Sequence, residues 1–229
     1  MTRRWANGGT PAARREETPV VESGPEQTRR RIRDAAAHVL SVKGYAGFRV
    51  TAVAAIAEVQ APAIYYYWAS RDELIEEVMW VGTAATRDHT AAALDALPSD
   101  TSAMDRLIAA VEAHLRHVLE MSDYSRAAIR NADQVPPSIR KRQIREENLY
   151  GELWRRLLYD LNRSGDMRVE LDPYHAQMLI LGALNWCSEW WDPRRSSVDT
   201  LVADAQSFVR GSIIAFPQPD RSRRRRAQA

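Results

Sequence analysis

The chain has 229 residues, of which 45% are hydrophobic and 27% are charged, and this composition excludes a disordered or collagen-like protein. Its single cysteine, Cys187, cannot form an intramolecular disulfide, which excludes a secreted fold held by disulfides. The longest apolar run, 176–187, is shorter than the roughly 18 residues that a membrane helix needs. The N-terminus has no apolar signal-peptide region, so we expect a cytoplasmic protein that does not bind membranes.

The small net charge of +2 conceals an uneven distribution along the chain. Residues 1–27 are balanced, residues 28–72 carry a net charge of +4, residues 73–220 carry −7, and residues 221–229 add +5. A basic segment before an acidic one predicts a head that binds a polyanion, attached to a separate regulatory or assembly domain. An accidental asymmetry of charge is the alternative.

Apolar residues recur at spacings of three and four along the chain, which predicts an all-α fold of about nine helices without strands. The predicted helices lie at about 27–43, 50–57, 61–67, 104–118, 124–132, 138–163, 173–191 and 198–215. The fourth helix opens at Ser70 and carries the apolar residues Leu74, Val78, Val81 and Ala85.

Local signals predict where several of these helices begin and end. Gly44 ends the first helix. Ser70 and Glu73 form a Ser-x-x-Glu capping box that opens the fourth helix. Asp172 followed by Pro173 is typical of the start of the eighth helix, since proline suits the first helical position.

Apolar stripes on the last three helices predict how these helices pack. The eighth helix is apolar almost all round between Met178 and Trp186, so we expect both of its faces to be buried. The ninth helix carries a broad apolar stripe. The seventh helix has four leucines that we expect on one buried side, namely Leu149, Leu153, Leu157 and Leu161.

Residues 44–75 are the most informative part of the chain. They predict two very short helices around a tight connection, braced by a longer helix on each side, which is typical of a helix-turn-helix. Here the sequence resembles the TetR/AcrR family of bacterial transcriptional regulators. The positions that match the family pattern are Gly44, Tyr45, Val53, Ala54, Ala57, Tyr65, Tyr67, Trp68, Ser70, Arg71 and Leu74.

Three positions depart from that family pattern. Glu58 stands at the turn glycine, so it must adopt a left-handed conformation or use a different turn. Arg49 replaces the serine or threonine that caps the second helix, and would gain a DNA phosphate contact in exchange. Gln60 replaces the serine before the third helix.

The resemblance implies that the third helix lies in the major groove of DNA. Gln60 would hydrogen-bond a base edge there, and alanines would touch thymine methyl groups. Tyr65, Tyr67 and Arg71 are placed by resemblance as phosphate contacts, whereas core packing is the alternative for Tyr65 and Trp68. The full predicted set of DNA-binding residues is Arg49, Thr51, Gln60, Ala61, Ala63, Tyr65, Tyr66, Tyr67 and Arg71.

The resemblance also implies a homodimer. In the family, the last two helices, here 173–191 and 198–215, pair with those of a second subunit, and the apolar surface of both helices suits this arrangement. Two heads related by a two-fold axis would read an inverted repeat in double-stranded DNA.

The effector is implied by a looser resemblance. Segments 135–137 and 184–195 resemble regulators of actinobacterial lipid and steroid breakdown, several of which bind acyl-CoA esters. This implies a small hydrophobic effector, with an acyl-CoA ester as one candidate. The candidate pocket residues, each with core packing or a surface ion pair as its alternative, are Arg126, Arg130, Tyr150, Trp154, Asn185, Trp186 and Glu189.

Catalytic and metal sites find little support in the sequence. His114 and His117 are three residues apart, yet only Glu112 and Glu120 accompany them at ligand spacing. The chain has no glycine-rich phosphate loop, serine nucleophile elbow or Cys/His pair. We therefore expect no enzyme activity, no metal and no cofactor.

These observations combine into one interpretation, a ligand-controlled transcriptional regulator that acts at the bacterial nucleoid as a repressor. The alternative is a helical ligand-binding or assembly protein whose head has lost specific DNA recognition, as Glu58 and Arg49 would allow. The predicted organisation is a disordered tail (1–26), a helix-turn-helix domain (27–72), an effector-binding and dimerisation domain (73–217) and an arginine-rich disordered tail (218–229).

Overall fold

A computed structural model describes residues 24–214 as an all-α fold, which confirms the predicted fold class. The nine α-helices of this range are α1 (Gly24–Gly47), α2 (Val50–Ile56), α3 (Ala61–Tyr67), α4 (Arg71–Asp95), α5 (Ala103–Arg116), α6 (Asp123–Asn131), α7 (Lys141–Ser164), α8 (Pro173–Trp190) and α9 (Val198–Ile213). A π-helical turn, His117–Met121, follows α5, and a single β-bridge joins Met167 to Ile214. No helix in this range is both long and apolar enough to cross a bilayer.

The first helix is longer at both ends than the sequence predicts. It begins at Gly24, so residues 24–26 of the predicted tail are helical. Its path bends at Gly44, whose φ of 68° is accessible to glycine without strain, and the helix resumes as far as Gly47. The predicted stop at Gly44 is therefore a kink. The predicted tail segments 1–23 and 218–229 lie outside the described residues.

The predicted capping signals are confirmed. The Ser70 hydroxyl accepts a hydrogen bond from the backbone N–H of Glu73 at 3.1 Å, and the Glu73 carboxylate accepts one from the N–H of Ala69 at 2.7 Å. The Asp172 carboxylate accepts from the N–H of His175 at 3.0 Å at the start of α8. The bonds to the N–H groups of Glu73 and His175 satisfy backbone donors that the helices leave free, and the third bond holds the residue just before the cap of α4.

Two hydrophobic cores build the molecule. The first lies between α1, α2, α3 and the beginning of α4, and includes the fully buried Trp68, so the core alternative holds for this residue. The second is built mainly from α5, α7, α8 and α9 around Trp154. Helix α4 contributes Leu74 to the first core and Leu94 to the second, so it connects the head with the body.

The buried face of α7 differs from the predicted leucine stripe, because Leu149 is 52% exposed. Leucines spaced by four residues rotate about 40° per step around an α-helix, so Leu149 and Leu161 point about 120° apart. The residues of α7 that are buried on the core side are Tyr150, Trp154, Leu157, Leu158 and Leu161.

Helix α8 buries one face within the protomer, through Ile180 and Leu184 among others. Its opposite face exposes apolar side chains, and Leu179 is 71% exposed. The predicted burial of both faces is therefore not met within a single chain. Helix α9 adds Phe208, which is 68% exposed, to the apolar surface.

Candidate DNA-binding and effector sites

Helices α2 and α3 pack on α1 through buried Val53, Ala54 and Ile64, with a tight turn between them. Glu58 occupies this turn with a φ of 54°, so it adopts the left-handed conformation, one of the two possibilities that the sequence left open. That conformation costs a non-glycine residue roughly 1–2 kcal/mol. The N–H of Val59 closes the turn on the carbonyl of Ala54 at 3.0 Å.

The outer surface of α3 presents the side chains that were predicted to contact DNA. Gln60 and Tyr65 are exposed, Tyr66 is 84% exposed, and Ala61 and Ala63 are half-buried. Core packing, the alternative for Tyr65, therefore does not apply. Gln60 is the N-cap of α3 and the other four residues lie within this short helix, so all five belong to one element of the surface.

Tyr67 lies between this exposed surface and the core. Its ring is half-buried, meets Tyr66 edge-on with a centroid distance of 5.1 Å, and packs at 5.8 Å from Trp68. Because its neighbours hold it, the Tyr67 ring has a defined orientation at the C-terminal end of α3.

Arg49 connects α1 and α2 through its own side chain. Its guanidinium donates to the carbonyl of Ala46 at 2.8 Å and to that of Phe48 at 3.1 Å. It makes no side-chain cap on α2, while Thr51 in the first turn of this helix is exposed. Arg49 thus has an internal role besides the predicted phosphate contact.

Arg71 is also engaged within the head. Its guanidinium stacks over the ring of Tyr45 at 4.5 Å and lies 5.4 Å from the centroid of Phe48. It donates to the carbonyl of Tyr45 at 2.5 Å and pairs with Asp72 at 3.0 Å. The planar guanidinium therefore braces the α1–α2 connection from the N-terminal end of α4, a role that the sequence did not reveal.

A buried carboxylate joins the head to α4. Glu77 is 6% exposed and pairs with Arg29 at 2.7 Å and Arg33 at 3.2 Å, both on α1. It also accepts from the indole N–H of Trp68 at 2.8 Å, just after α3. Sequence reasoning missed this group, although Glu77 lies three residues after Leu74 on the buried side of α4, where an unpaired acid would be costly.

The body contacts the head through the end of α6. Asn131 is fully buried, accepts from the N–H of Tyr45 at 2.7 Å, and donates to the carbonyl of Leu40 at 3.2 Å. The neighbouring Arg130 donates to the carbonyl of Ser41 at 2.8 Å. These side chains satisfy backbone groups around the kink of α1, so α6 and α1 are tied together.

A cavity of about 810 Å³ lies in the body between α4, α5, α6, α7 and α8. Its apolar lining includes Ile129, Met178 and Leu181. Its polar lining includes Thr83, Thr86, His114, Ser125, Gln143, Tyr150, Gln177 and Asn185. Polar and charged side chains outnumber apolar ones in this lining, and a concave site that offers both kinds of group suits a small organic molecule.

Two of the seven predicted pocket residues, Tyr150 and Asn185, line this cavity. Trp154 is fully buried behind the lining, where it meets the rings of Tyr150 and His114 edge-on at 6.2 Å. It supports the wall, so the core-packing alternative applies to Trp154.

The other four predicted pocket residues lie outside the lining. Arg126 donates to the carbonyl of Leu119, and Arg130 approaches Glu189 at 3.9 Å in a partly exposed ion pair. Trp186 is exposed on the outer face of α8. Long side chains at these positions reach the surface or the head rather than the cavity. The spacing of these residues along the chain does not indicate this difference.

A hydrogen-bond relay fixes the polar wall of the cavity. The Thr90 hydroxyl donates to the carbonyl of Thr86 at 2.9 Å and lies 3.0 Å from the Tyr150 hydroxyl. Tyr150 in turn lies 2.8 Å from Nδ1 of His114. Because the Thr90 hydroxyl donates to Thr86, Tyr150 donates to Thr90 and accepts from Nδ1–H of His114. The Nε2 atom of His114 is left without a partner.

The ionisable members of this relay are neutral at physiological pH. Burial, followed by the nearby His117, lowers the pKa of His114 to about 4, although Asn185 opposes the shift. Burial raises the pKa of Tyr150 to about 12. The polar wall therefore offers hydrogen bonds without a positive charge.

The histidine pair singled out in the sequence separates into two environments. His114 belongs to the relay, while the ring of His117 stacks on His89 at 4.8 Å. Across residues 24–214, no three side chains of the histidine, cysteine, aspartate and glutamate types are grouped so that they could hold a metal ion.

Two family models match this chain. "Bacterial regulatory proteins, tetR family" matches residues 32–78, and "Tetracyclin repressor-like, C-terminal domain" matches residues 100–209. The chain belongs to the TetR family. It is accordingly a transcriptional regulator with a helix-turn-helix DNA-binding domain, and the residues of α2 and α3 described above lie within the first match.

Solved structures share this TetR fold at low identity. A regulatory protein in the tetR family from Rhodococcus RHA1 superposes with a TM-score of 0.74 at 19% identity, covering 83% of this chain and 99% of that one. KstR2, a ketosteroid regulator of Mycobacterium tuberculosis, gives 0.71 at 16%, covering 82% and 95%. AibR in complex with isovaleryl coenzyme A and operator DNA gives 0.72 at 16%, covering 79% and 97%. No curated protein matches the chain.

Proposed function

We propose that this TetR-family regulator is a repressor that binds an inverted-repeat operator as a homodimer and leaves it when a small hydrophobic effector fills the cavity. The observation that carries the proposal is the surface of α3, where Gln60, Tyr65 and Tyr66 stand exposed on a helix whose other side is buried in the head core. Exposed aromatic and amide groups on a short helix suit contacts with base edges and phosphates. We assign DNA binding to 27–72 and effector binding with dimerisation to 73–217.

The outer faces of α8 and α9 support the homodimer. Leu179, Trp186 and Trp190 on α8 and Phe208 on α9 are exposed apolar side chains of a single protomer. Exposed apolar side chains of this kind are stabilised by contact with a second copy, and a two-fold axis would let the same helices meet each other.

The joint between α6 and α1 supports coupling between the cavity and the head. Ser125, Ala128 and Ile129 of α6 line the cavity, and Asn131 at the end of the same helix holds α1. A ligand that binds one position of α6 better than another therefore also favours one position of the head. Operator binding depends on that position, because both heads must fit successive major grooves.

An acyl-CoA ester is the second candidate effector, favoured by the fold shared with AibR, whose structure contains isovaleryl coenzyme A. The cavity volume of about 810 Å³ accommodates an acyl chain, and the nucleotide would remain outside. Titration with a series of acyl-CoA esters, read out as release of bound DNA, distinguishes this candidate from an uncharged hydrophobic effector.

The proposed function is tested by selecting genomic fragments that the purified protein binds, as expected of a regulator that acts at the nucleoid. The binding of the best fragment is then measured at low and at moderate salt concentrations. We expect one inverted repeat, bound with an affinity that falls steeply as salt rises. Weak binding to all fragments alike would favour the alternative of a head that has lost specific recognition.

A matched pair of variants tests the role of α3. Tyr66→Ala removes the most exposed side chain of α3, and Tyr159→Ala removes a similarly sized exposed side chain from α7. We expect Tyr66→Ala to weaken binding to the selected fragment by about tenfold, in line with the loss of one good contact, and Tyr159→Ala to leave it unchanged. Equal binding by both variants would remove α3 from the DNA interface.

A further inference from the structure

Two glutamine side chains of the cavity present buried oxygen atoms without a hydrogen-bond partner. Gln143 is 1% exposed and Gln177 is 3% exposed, and both line the cavity. The Nε2 of Gln143 donates to the carbonyl of Ala128 at 3.4 Å, and the Nε2 of Gln177 donates to the carbonyl of Gly151 at 3.0 Å. Because carbonyl groups only accept, these bonds fix which end of each amide is nitrogen, and both Oε1 atoms remain unpaired.

Buried acceptors of this kind normally have a partner in a folded protein. Gln143 connects α7 to α6, and Gln177 connects α8 to α7, so both amides are held in place by the helices that form the cavity. A ligand that supplies O–H or N–H groups would satisfy both oxygens, whereas a ligand that only accepts hydrogen bonds would leave them unpaired.

The charges around the cavity disfavour an anion. Arg155, the single arginine of the lining, is paired with Glu152. Glu147 of the lining is paired with Arg140 at 3.2 Å, and burial raises the pKa of this carboxyl group. Asp133 adds an exposed carboxylate. A carboxylate or phosphate placed here would therefore meet acidic groups, with no unpaired cation among the lining residues to balance it.

We infer that the cavity binds a neutral effector with an apolar body and hydroxyl or N–H donors, which hydrogen-bond to Oε1 of Gln143 and Oε1 of Gln177, and that it discriminates against anionic compounds of the same size. The inference rests on the proposed function, because it takes this cavity as the effector site. It goes further by naming the chemical class of the ligand and the two acceptors that recognise it.

Four probes with a similar carbon skeleton distinguish a neutral ligand with a donor from a ligand that only accepts hydrogen bonds and from an anion. Decan-1-ol carries a donor, its isomer 1-methoxynonane only accepts, decanoate is an anion, and decanoyl-CoA carries the nucleotide. Calorimetric titration of the full chain should give decan-1-ol at least a tenfold higher affinity than either 1-methoxynonane or decanoate, because only the alcohol satisfies a buried acceptor.

Variants of the glutamines test the same inference on the protein side. Gln143→Met with Gln177→Met removes both acceptors at similar volume, and should reduce the preference for decan-1-ol over 1-methoxynonane to less than threefold. Gln134→Met is the matched control, since Gln134 is exposed and lies outside the lining, and it should retain the preference. The comparison of the four probes on the unaltered protein does not depend on the folding of any variant.

Equal affinity for the alcohol and the ether, tighter binding of decanoate or decanoyl-CoA, or no binding of any probe would overturn the inference. A second measurement, the release of the selected DNA fragment by each probe, distinguishes failure of this inference from failure of the proposed function. Release by decanoyl-CoA alone would retain effector control and overturn the inferred preference for a neutral ligand, because decanoyl-CoA is an anion that carries N–H and O–H donors of its own. Preferential binding of decan-1-ol without any change in DNA affinity would support the cavity chemistry and contradict effector control.

Discussion

Replacing Glu77 by glutamine tests whether the buried carboxylate holds the head on α4. The variant keeps the shape and an oxygen for the indole N–H of Trp68, but removes the charge that faces Arg29 and Arg33. Breaking a fully buried pair costs about 3–5 kcal/mol. The two arginine side chains are 34% and 26% exposed, so water compensates part of this loss, and we expect about 1.5–3 kcal/mol.

Urea unfolding at pH 7, followed by circular dichroism, measures this change in the free energy of unfolding. The neighbouring Glu76→Gln is the matched control, because Glu76 pairs with the partly exposed Arg142 at 3.2 Å and should cost less than about 1 kcal/mol. The Glu77 variant should also bind the operator more weakly below its unfolding transition. Equal destabilisation by the two substitutions would refute the assignment of Glu77 as the anchor of the head.

Two further predictions concern the body. Gly82→Ala places a Cβ 2.2 Å from a backbone carbonyl oxygen of α6 and should lower the free energy of unfolding by about 1–3 kcal/mol. In Gly182→Ala the new Cβ meets no atom within 4 Å, so this variant should raise the free energy of unfolding by up to about 1 kcal/mol. Thermal unfolding measures both changes. Burial lowers the pKa of His114 and His117 to about 4. Between pH 4 and 6.5 the unfolded chain therefore binds more protons than the folded chain does. The free energy of unfolding should accordingly fall by about 2 kcal/mol per histidine from pH 7 to pH 5. His117→Phe should make that pH profile less steep, because only the contribution of His114 then remains.

The elements that the sequence predicts well depend on neighbours in the chain. Ser70 and Asp172 cap their helices through residues three positions away, and such short spacings can be read directly from a sequence. The predicted bounds of helix α3 agree with the observed ones, although this helix has no side-chain cap. The predicted leucine stripe on α7 shows the limit of local periodicity. Leucines spaced by four residues turn gradually around the helix, so over twelve residues Leu149 lies away from the core.

The contacts that the sequence did not reveal join residues far apart in the chain. Glu77 meets Arg29 across 48 positions, and Asn131 meets Tyr45 across 86. Arg71 matched a family position for phosphate contact, yet its guanidinium also holds the carbonyl of Tyr45. A motif identifies the position of such a residue, but its partners depend on how helices pack, which no spacing within one helix specifies.

The same packing explains why α6 can serve both the cavity and the head. Its middle contacts the cavity, its end holds α1 through Asn131, and its backbone at Tyr124 approaches Gly82 of α4 too closely for a methyl group to fit between them. Close packing therefore opposes movement of α6 toward α4, so under the proposed function a ligand in the cavity would displace α6 in another direction. Because the hydrogen bonds of Asn131 join α6 to the residues around the kink at Gly44, such a displacement would reach α1 and the helices that pack on it.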